Sequence, residues 1–374
     1  MNLRTYKSVL ERRKALEVEL KVDLHNIGAF TLDETVAGTR NCENMIGAAQ
    51  IPMGIAGPVN GKYIPLATTE GALVASVNRG CKAITESGGA TVSSYRVGAT
   101  RGPVFKVNNM SENSKLYAFI DSHKSDFNAI AKTTSKHISL TDVDAHSVGL
   151  YQFVRFTFDT QDAMGLNMVT IATQAIVTFI EQKTGAACLS LAGNFDVDKK
   201  PSWLNFTRGR GFEVWAEAVI PKKIVHKILK TTPETICKTW LAKCMIGSAM
   251  SGSMGFNAQY ANVIAALFIA TGQDPAHVVE GSMGITTAEV VKEDLYLSVY
   301  LPDVMVGTVG GGMSLATQRE ALNIIGVKNS QEFSEIIAGA VLAGEISLLA
   351  SLSEGTLASA HQKFGRGKIL STKY

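Results

Sequence analysis

A chain of 374 residues is long enough for a sizeable core and for two or three domains. Its 46% hydrophobic and 18% charged residues exclude an intrinsically disordered chain. The net charge of +3, with no basic run interleaved with aromatics, excludes a nucleic-acid partner as a working expectation but suits a phosphorylated substrate.

Residues 1–38 read as a small helical N-terminal region. RRKALEVEL has helical charge spacing, and NIGAF follows as a loop. The first twenty residues are charged and lack an apolar signal core. From NCENMIG to TRGP (41–103), glycine-rich turns alternate with apolar helical runs such as GALVASVNRGCKAI. Within this stretch ATTEG (67–71) places Glu70 between IPLA and GALVASV. Such surroundings strip hydration from a carboxylate and raise its pKa. A carboxylic acid kept protonated near neutrality can give a proton to a reacting oxygen.

The composition then shifts. VFKVNNMSENSKLYAFIDSHKSDFNAIAK reads as a strand, a helix with an acidic start, and a loop. SVGLYQFVRFTF alternates β-formers with polar residues and reads as one strand of an antiparallel sheet. DAMGLNMVTIATQAIVTFIEQKTG reads as a helix entered through a glycine turn, and ACLSLAGNF as a further strand. Residues 103–193 therefore form a compact α+β unit inserted into a larger domain made of 39–102 and 206–374. Residues 194–205 connect the two.

That connector, NFDVDKKPSWLNF, carries Lys199 and Lys200. A lysine pair is usually a solvated surface feature; here it follows a buried strand, where a loop can line a cleft. VWAEAVIP reads as a strand and PKKIVHKILKTTPETICKTWLAK as one or two helices. GFNAQYANVIAALFIATG reads as a helix apolar almost all round, central to the core, in which Asn262 needs a partner for its amide. Asp274 follows it in GQD, as a loop carboxylate, the cap of the next turn, or a site residue. DLYLSVYLPDVMVGTVGGG contains strands ending in a glycine cluster. IIAGAVLAGEISLLASL (336–352), interrupted by Glu345 and rich in small residues, reads as a buried helix and not a membrane span. A basic tail follows with His361, either a surface residue or a late proton donor.

DAMGLNM (162–168) opens its helix with small residues at an N-terminus that favours phosphate. An ordinary helix capped by Asp162 fits the same residues. GTVGGG (307–312) fits a plain turn, but paired with DAMGLNM it fits a dinucleotide site; no GxGxxG occurs. Cys42, Cys81, Cys188, Cys237 and Cys244 are scattered with no CxxC pair. They predict no metal and no disulfide framework, and a reducing, cytoplasmic setting.

At ENMIGAAQIPMGIAGP, ATTEG, VNRGCKAI, TRGP, DAMGLNM, DKKP, GQD and TVGGG, the chain resembles the 3-hydroxy-3-methylglutaryl-CoA (HMG-CoA) reductases, from about residue 40 to the tail. TTEG, where other members carry EEP, resembles the class I (eukaryotic and archaeal) branch, in a soluble form without the membrane anchor of eukaryotic members. The resemblance implies a four-electron reduction of (S)-HMG-CoA to (R)-mevalonate and CoA with two NADPH. It implies an α/β and α+β multidomain fold: a large helix-rich α/β domain, an inserted ferredoxin-like cofactor-binding domain and the small helical N-terminal region.

By the same resemblance, Glu70, Lys199, Asp274 and His361 are catalytic, with Asp274 hydrogen-bonding both Glu70 and Lys199. Arg101, Asp198, Lys200, Lys243 and Asn262 match positions that hold the HMG group. Ser76, Asn78, Arg79 and Lys230 match positions near CoA. Asp162, Met164, Gly165, Asn167, Met168, Gly310, Gly311 and Arg366 match the NADPH site. Ser135 and Lys136 align with a Ser-Arg pair on the NADPH 2′-phosphate; lysine keeps the charge but loses the planar fork. Ala192 replaces a serine found in many class I members, so one substrate hydrogen bond is missing. Gly367 stands where animal and plant members carry a phosphorylatable serine. In this family the site forms between subunits, with ENMIG (43–47) near the interface, so a homodimer or homotetramer is expected, with no membrane partner. The rival readings are a reductase of another acyl-CoA, a silent nucleotide binder, and an NADH-dependent enzyme working from mevalonate to HMG-CoA.

Overall fold

The computed structural model describes residues 5–355. The N-terminal helix Val9–Leu20 starts on a reciprocal cap between Ser8 and Glu11. Val9, Ala37 and Met45 form a small apolar patch beneath it. The Arg12 Nε–H donates to the Met45 carbonyl at 2.7 Å and ties ENMIG to the arm.

Strands β1 (Met53–Val59) and β2 (Lys62–Ala67) then form an antiparallel hairpin. The sequence reading expected only turns and helices here. The glycines and prolines in MGIAGPV and KYIPLA hide the strand signal, because this isolated hairpin tolerates residues that a central strand does not. The helix Leu73–Glu86 follows as expected.

The remaining strands are β3 (Thr91–Arg101), β4 (Val104–Lys106), β5 (Ser139–Val148), β6 (Tyr151–Asp159), β7 (Ala187–Ser190), β8 (Arg210–Ile220), β9 (Gly255–Phe256), β10 (Gly284–Val291) and β11 (Asp294–Val304). They make one nine-stranded sheet in the order β7-β4-β6-β3-β8-β11-β10-β9, with β5 on β6. In β8, Phe212, Val214, Ala216, Ala218 and Ile220 are buried, while Trp215 and Val219 are exposed, as a period of two requires.

The first core lies on that buried face. Its spine is the helix Ser330–Ser353, long and apolar enough to cross a membrane but with 72% of its most apolar window buried inside the protein. The helix Leu73–Glu86 crosses it backbone to backbone: a Cβ on Gly80 would stand 1.8 Å from the Ala343 carbonyl oxygen. Glu345 is buried mid-helix and accepts hydrogen bonds from the Ala258 and Gln259 N–H groups and the Thr286 hydroxyl. Burial raises its carboxyl, and these donors together with Lys243 offset only part of that.

The second core packs β4 to β7 against three helices, Met110–Ser122, Lys124–Thr134 and Leu166–Thr184. Its four strands run antiparallel in the order β7-β4-β6-β5. Two expectations are corrected. The loop after the acidic-start helix is the helix Lys124–Thr134, which buries Phe127 and Ala131. SVGLYQFVRFTF is not one strand: it contains the β5–β6 turn, with Gly149 at φ 57°. β3 serves both cores, pairing with β8 over Thr91–Gly98 and with β6 over Ala99–Arg101. Gly98 sits at the switch, where a Cβ would stand 2.5 Å from the Phe158 carbonyl oxygen.

Candidate active site

The core helix Tyr260–Thr271 ends at Gly272, in the left-handed region at φ 73°. Gln273 is buried and exchanges two hydrogen bonds with the Gly307 backbone, at 3.1 and 3.0 Å. This fixes the next residue, Asp274, whose Oδ1 accepts from the Ala276 N–H at 3.0 Å and caps the turn Pro275–His277. Its other oxygen, Oδ2, lies 2.7 Å from Lys199 Nζ. Asp274 is thus both the cap of a turn and half of an ion pair. Partial burial alone would raise its carboxyl, but the Lys199 hydrogen bond, the Ala276 N–H and His277 outweigh burial and leave it lowered.

Lys199 comes from the connecting loop, which is bent sharply. Asn194, Val197 and Lys199 all have positive φ, at 61°, 49° and 57°. Such conformations persist only where the surroundings over-determine them. Here Thr100 Oγ donates to the Asp196 carbonyl, Asn205 Nδ2 to the Val197 carbonyl, and the Lys199 N–H to Glu280 Oε1.

Beneath the loop lies a buried ionic cluster. The fully buried Arg210 guanidinium donates to Glu280 at 2.9 Å, Asp198 at 2.8 Å and Thr100 at 2.8 Å. Burial opposes its charge, but Asp303, Asp198 and Glu280 outweigh that and raise its pKa. Asp303 accepts from Asn205 at 2.8 Å. Burial, only partly offset by Arg210, pushes the Asp303 carboxyl well above the ordinary range. Asp198 is lowered: burial raises it, and Arg210 and His277 more than reverse this. His277 Nδ1 contacts Glu280 Oε1 at 2.5 Å. Ligand atoms of Asp198, His277 and Glu280 cluster within 4.8 Å of one another, and Arg210 already supplies a cation to both carboxylates.

Lys199 and Asp274 open onto a cleft of about 710 Å³. It is also lined by two apposed segments, DAMGLNM and TVGGG. The Thr308 N–H donates to the Asp162 carbonyl at 2.8 Å, and Ala163 bridges to Val309. Gly272 and Gly312 touch backbone to backbone, since a Cβ on Gly312 would lie 2.6 Å from the Gly272 carbonyl oxygen. Met164, Gly165, Asn167, Met168, Gly310 and Gly311 all line the cleft.

Other residues fall elsewhere. Asp162 does not cap the helix: Gly165, at φ 80°, is the cap residue, and Asp162 Oδ1 instead accepts from the Ser330 N–H and hydroxyl. Glu70 is exposed, because the chain turns outward after β2, so the desolvation expected of it is missing in the single chain. Asn262 Nδ2 reaches Glu70 Oε1 at 3.5 Å, and among the described residues no hydrogen bond or ion pair joins Glu70 to Lys199 or Asp274. The expected Asp274–Glu70 hydrogen bond is therefore not formed. Arg101 pairs with Asp196 at 3.3 Å, and Lys200 Nζ donates to the Asp198 carbonyl. Ser76 donates to Ser347, and Arg79 to Ser347 and Ser351. Asn78 accepts from the Gly57 N–H. Lys230 is exposed in a left-handed turn, and Lys243 and Lys136 are exposed. Ser135 accepts from the His137 N–H. Ala192 donates its N–H to Ser190. His361, Arg366 and Gly367 lie outside the described residues.

Sequence reasoning missed Arg210, His277, Glu280 and Asp303. One signal was present: Asp274, His277 and Glu280 recur every third residue, which places them on one side of a tight helical turn.

Residues 8–366 match the hydroxymethylglutaryl-coenzyme A reductase family model. The chain is 49% identical to the 3-hydroxy-3-methylglutaryl-coenzyme A reductase of Pyrococcus abyssi, over 95% of this chain and 92% of that one. It is 47% identical to that of Methanothermobacter thermautotrophicus, over 95% and 93%. A solved class II 3-hydroxy-3-methylglutaryl-CoA reductase from Streptococcus pneumoniae, bound to NADPH, shares the fold with a TM-score of 0.70 at 20% identity, over 94% of this chain and 98% of that one. A family match across nearly the whole chain, with relatives near half identity, settles its membership: the chain belongs to the hydroxymethylglutaryl-coenzyme A reductase family.

Proposed function

We propose that this chain is a class I-type HMG-CoA reductase of isoprenoid biosynthesis. It converts (S)-HMG-CoA to (R)-mevalonate and CoA, consuming two NADPH and two protons. The observation that carries this reading is the cleft, lined by both the Lys199–Asp274 pair and the apposed glycine segments. The names of the archaeal relatives support the reaction, and with TTEG they support the class I branch.

The glycine wall suits a dinucleotide. Gly310 and Gly311, at φ 84° and 52°, have open space where any side chain would stand. The helix Leu166–Thr184 begins without a side-chain cap, so its first N–H groups are available to phosphate. Met164, Gly165, Asn167 and Met168 line this side, Asp162 anchors the turn, Ser135 and Lys136 take the 2′-phosphate, and Arg366 joins the cofactor site from the tail. NADPH supplies the hydride. The pneumococcal reductase of the same fold was solved bound to NADPH, which supports this choice of cofactor.

The remaining chemistry falls to side chains. A thioester carbonyl that gains a hydride becomes an oxyanion, and the Lys199 ammonium stabilises it. Asp274 holds that ammonium. Collapse of the hemithioacetal releases CoA thiolate, which His361 protonates. Glu70 gives its proton to the aldehyde oxygen in the second reduction. Arg101, Asp198, Lys200, Lys243 and Asn262 hold the HMG group, whose carboxylate needs cations. Ser76, Asn78, Arg79 and Lys230 hold CoA.

The βααββαβ order, a βαββαβ unit with one extra helix, and the sheet β7-β4-β6-β5 support a ferredoxin-like inserted unit at 103–193, flanked by a large domain at 39–102 and 206–374 and joined to it by the catalytic loop 194–205. Exposed Glu70, beside exposed Ile51, Met53 and Ile55, supports a homodimer in which a second subunit covers the site, with a homotetramer as a dimer of dimers. The five free thiols support a cytoplasmic setting.

The test is cofactor oxidised per CoA released from HMG-CoA, with an NADH control. Two NADPH per CoA, abolished by Lys199→Ala, is the expected result. NADH use with little NADPH use overturns the cofactor, and no turnover with either overturns the reaction.

A further inference from the structure

Behind the Lys199–Asp274 pair stands a buried dyad to which the reduction steps give no task. His277 and Glu280 are both fully buried. Glu280 Oε1 accepts from Arg210 at 2.9 Å and from the Lys199 N–H at 3.2 Å. An oxygen already serving as acceptor to two donors assigns the 2.5 Å contact with His277 as Nδ1–H donating. The ring is thereby fixed with Nε2 turned the other way. Nε2 is buried and has no hydrogen-bond partner, which is costly for a polar atom and uncommon in native interiors. It faces Asp274 Oδ2 at 3.8 Å, the same oxygen that receives Lys199 Nζ at 2.7 Å.

The charged groups around the ring come from three elements. Asp274 and Glu280 belong to its own turn. Asp198 and Lys199 come from the connecting loop, with Asp198 Oδ1 4.0 Å from Nδ1. Arg210 comes from β8 and bridges Asp198 and Glu280. A ring held so firmly at one nitrogen, with the other aimed at the partner of the reactive lysine, is placed to orient that partner.

We propose that His277 is a positioning residue for the Lys199–Asp274 pair: as the imidazolium, a donor at both nitrogens, it holds Glu280 through Nδ1–H, and when the cleft is occupied its Nε2–H closes to a hydrogen bond with Asp274 Oδ2 and fixes the carboxylate that holds the ammonium. Glu280 acts through His277 and through the Lys199 backbone. The inference rests on the reading of this cleft as the reductase site. It requires no new chemistry, only the closure of about 1 Å by which hydrogen bonds in empty sites tighten around a substrate.

Two substitutions separate positioning from packing. His277→Asn keeps a donor near Nδ1 and removes the one facing Asp274; His277→Gln keeps a donor near Nε2. The expected result is a kcat about tenfold lower in His277→Asn, with KM for HMG-CoA within about twofold, and a clearly smaller loss in His277→Gln. In parallel, the Asp274 carboxyl is titrated by 13C NMR, assigned against Asp274→Asn. His277→Asn raises its midpoint by about half a pH unit or more, and His277→Gln by less. Glu280→Gln, which leaves the ring in place, shifts the midpoint in the same direction and serves if the histidine variants do not fold. Equal kcat losses in the two histidine variants, or an Asp274 midpoint unmoved in His277→Asn, overturn the proposal. A wild-type protein that turns over HMG-CoA with neither NADPH nor NADH overturns the functional reading instead, and the titration still decides the positioning role.

Discussion

Asp274 uses its two oxygens for different ends, one for the Ala276 N–H and one for Lys199. Asparagine caps a turn as well as aspartate does, so Asp274→Asn removes the charge and spares the cap. The folded Asp274 carboxyl is lowered below its ordinary value of about 4. A lowered carboxyl stabilises the fold fully above that ordinary value, and the contribution is lost as pH falls through the lowered one. Wild type is therefore more stable than Asp274→Asn at neutral pH, and the gap shrinks as the solution is acidified. Thermal unfolding of both proteins across the acid range measures this; a gap independent of pH would contradict the ion pair. Lys199 and Asp274 were legible in the sequence because their motifs, DKKP and GQD, are local. Arg210 and Asp303 were not, because an arginine opening a strand and an aspartate closing one read as surface residues until the fold buries both.

At the scale of elements, the crossing of Leu73–Glu86 over Ser330–Ser353 depends on one missing side chain. Alanine at position 80 would gain about 1 kcal/mol in helix propensity. It would also drive a Cβ to 1.8 Å from the Ala343 oxygen. Overpacking of this kind costs roughly 1–3 kcal/mol, and here the obstacle is backbone, which cannot rotate away. Gly80→Ala therefore destabilises the protein, read as a lower midpoint in urea. Ser76 and Arg79 bond Ser347 and Ser351 across the same crossing, so, on their proposed role in holding CoA, the variant is also expected to weaken CoA binding, measured by calorimetry. The helices were the more legible elements: the apolar run at 336–352 and the helix after DAMG needed only composition and period. The β1–β2 hairpin, β3 and β10 escaped notice. The hairpin carries its glycines and prolines on an isolated ribbon, and β10 turns into β11 through Lys292 and Glu293, a two-residue turn with no glycine or asparagine to signal it.

At the scale of the whole molecule, the exposure of Glu70 bears on the proposed assembly. If Glu70 has the proposed role of proton donor, its exposure to open water leaves the site incomplete in one chain, and a second chain is expected to complete it. Activity per chain should fall on dilution in step with dimer dissociation, followed by sedimentation and turnover on the same samples; a fully active monomer would contradict this. The two cores were legible as a shift in composition near residue 103, but their connection was not, because nothing in TVSSYRVGATR announces a strand with two masters. That connection has a mechanical consequence. β3 is hydrogen-bonded to β8 along most of its length and to β6 at its end, so the cores are welded along a strand and not hung on a tether. A clamshell motion between them would have to shear a hydrogen-bonded ladder. The cleft therefore behaves as a slot of fixed width cut into a stiff frame, and its opening and closing fall to whatever folds over its mouth.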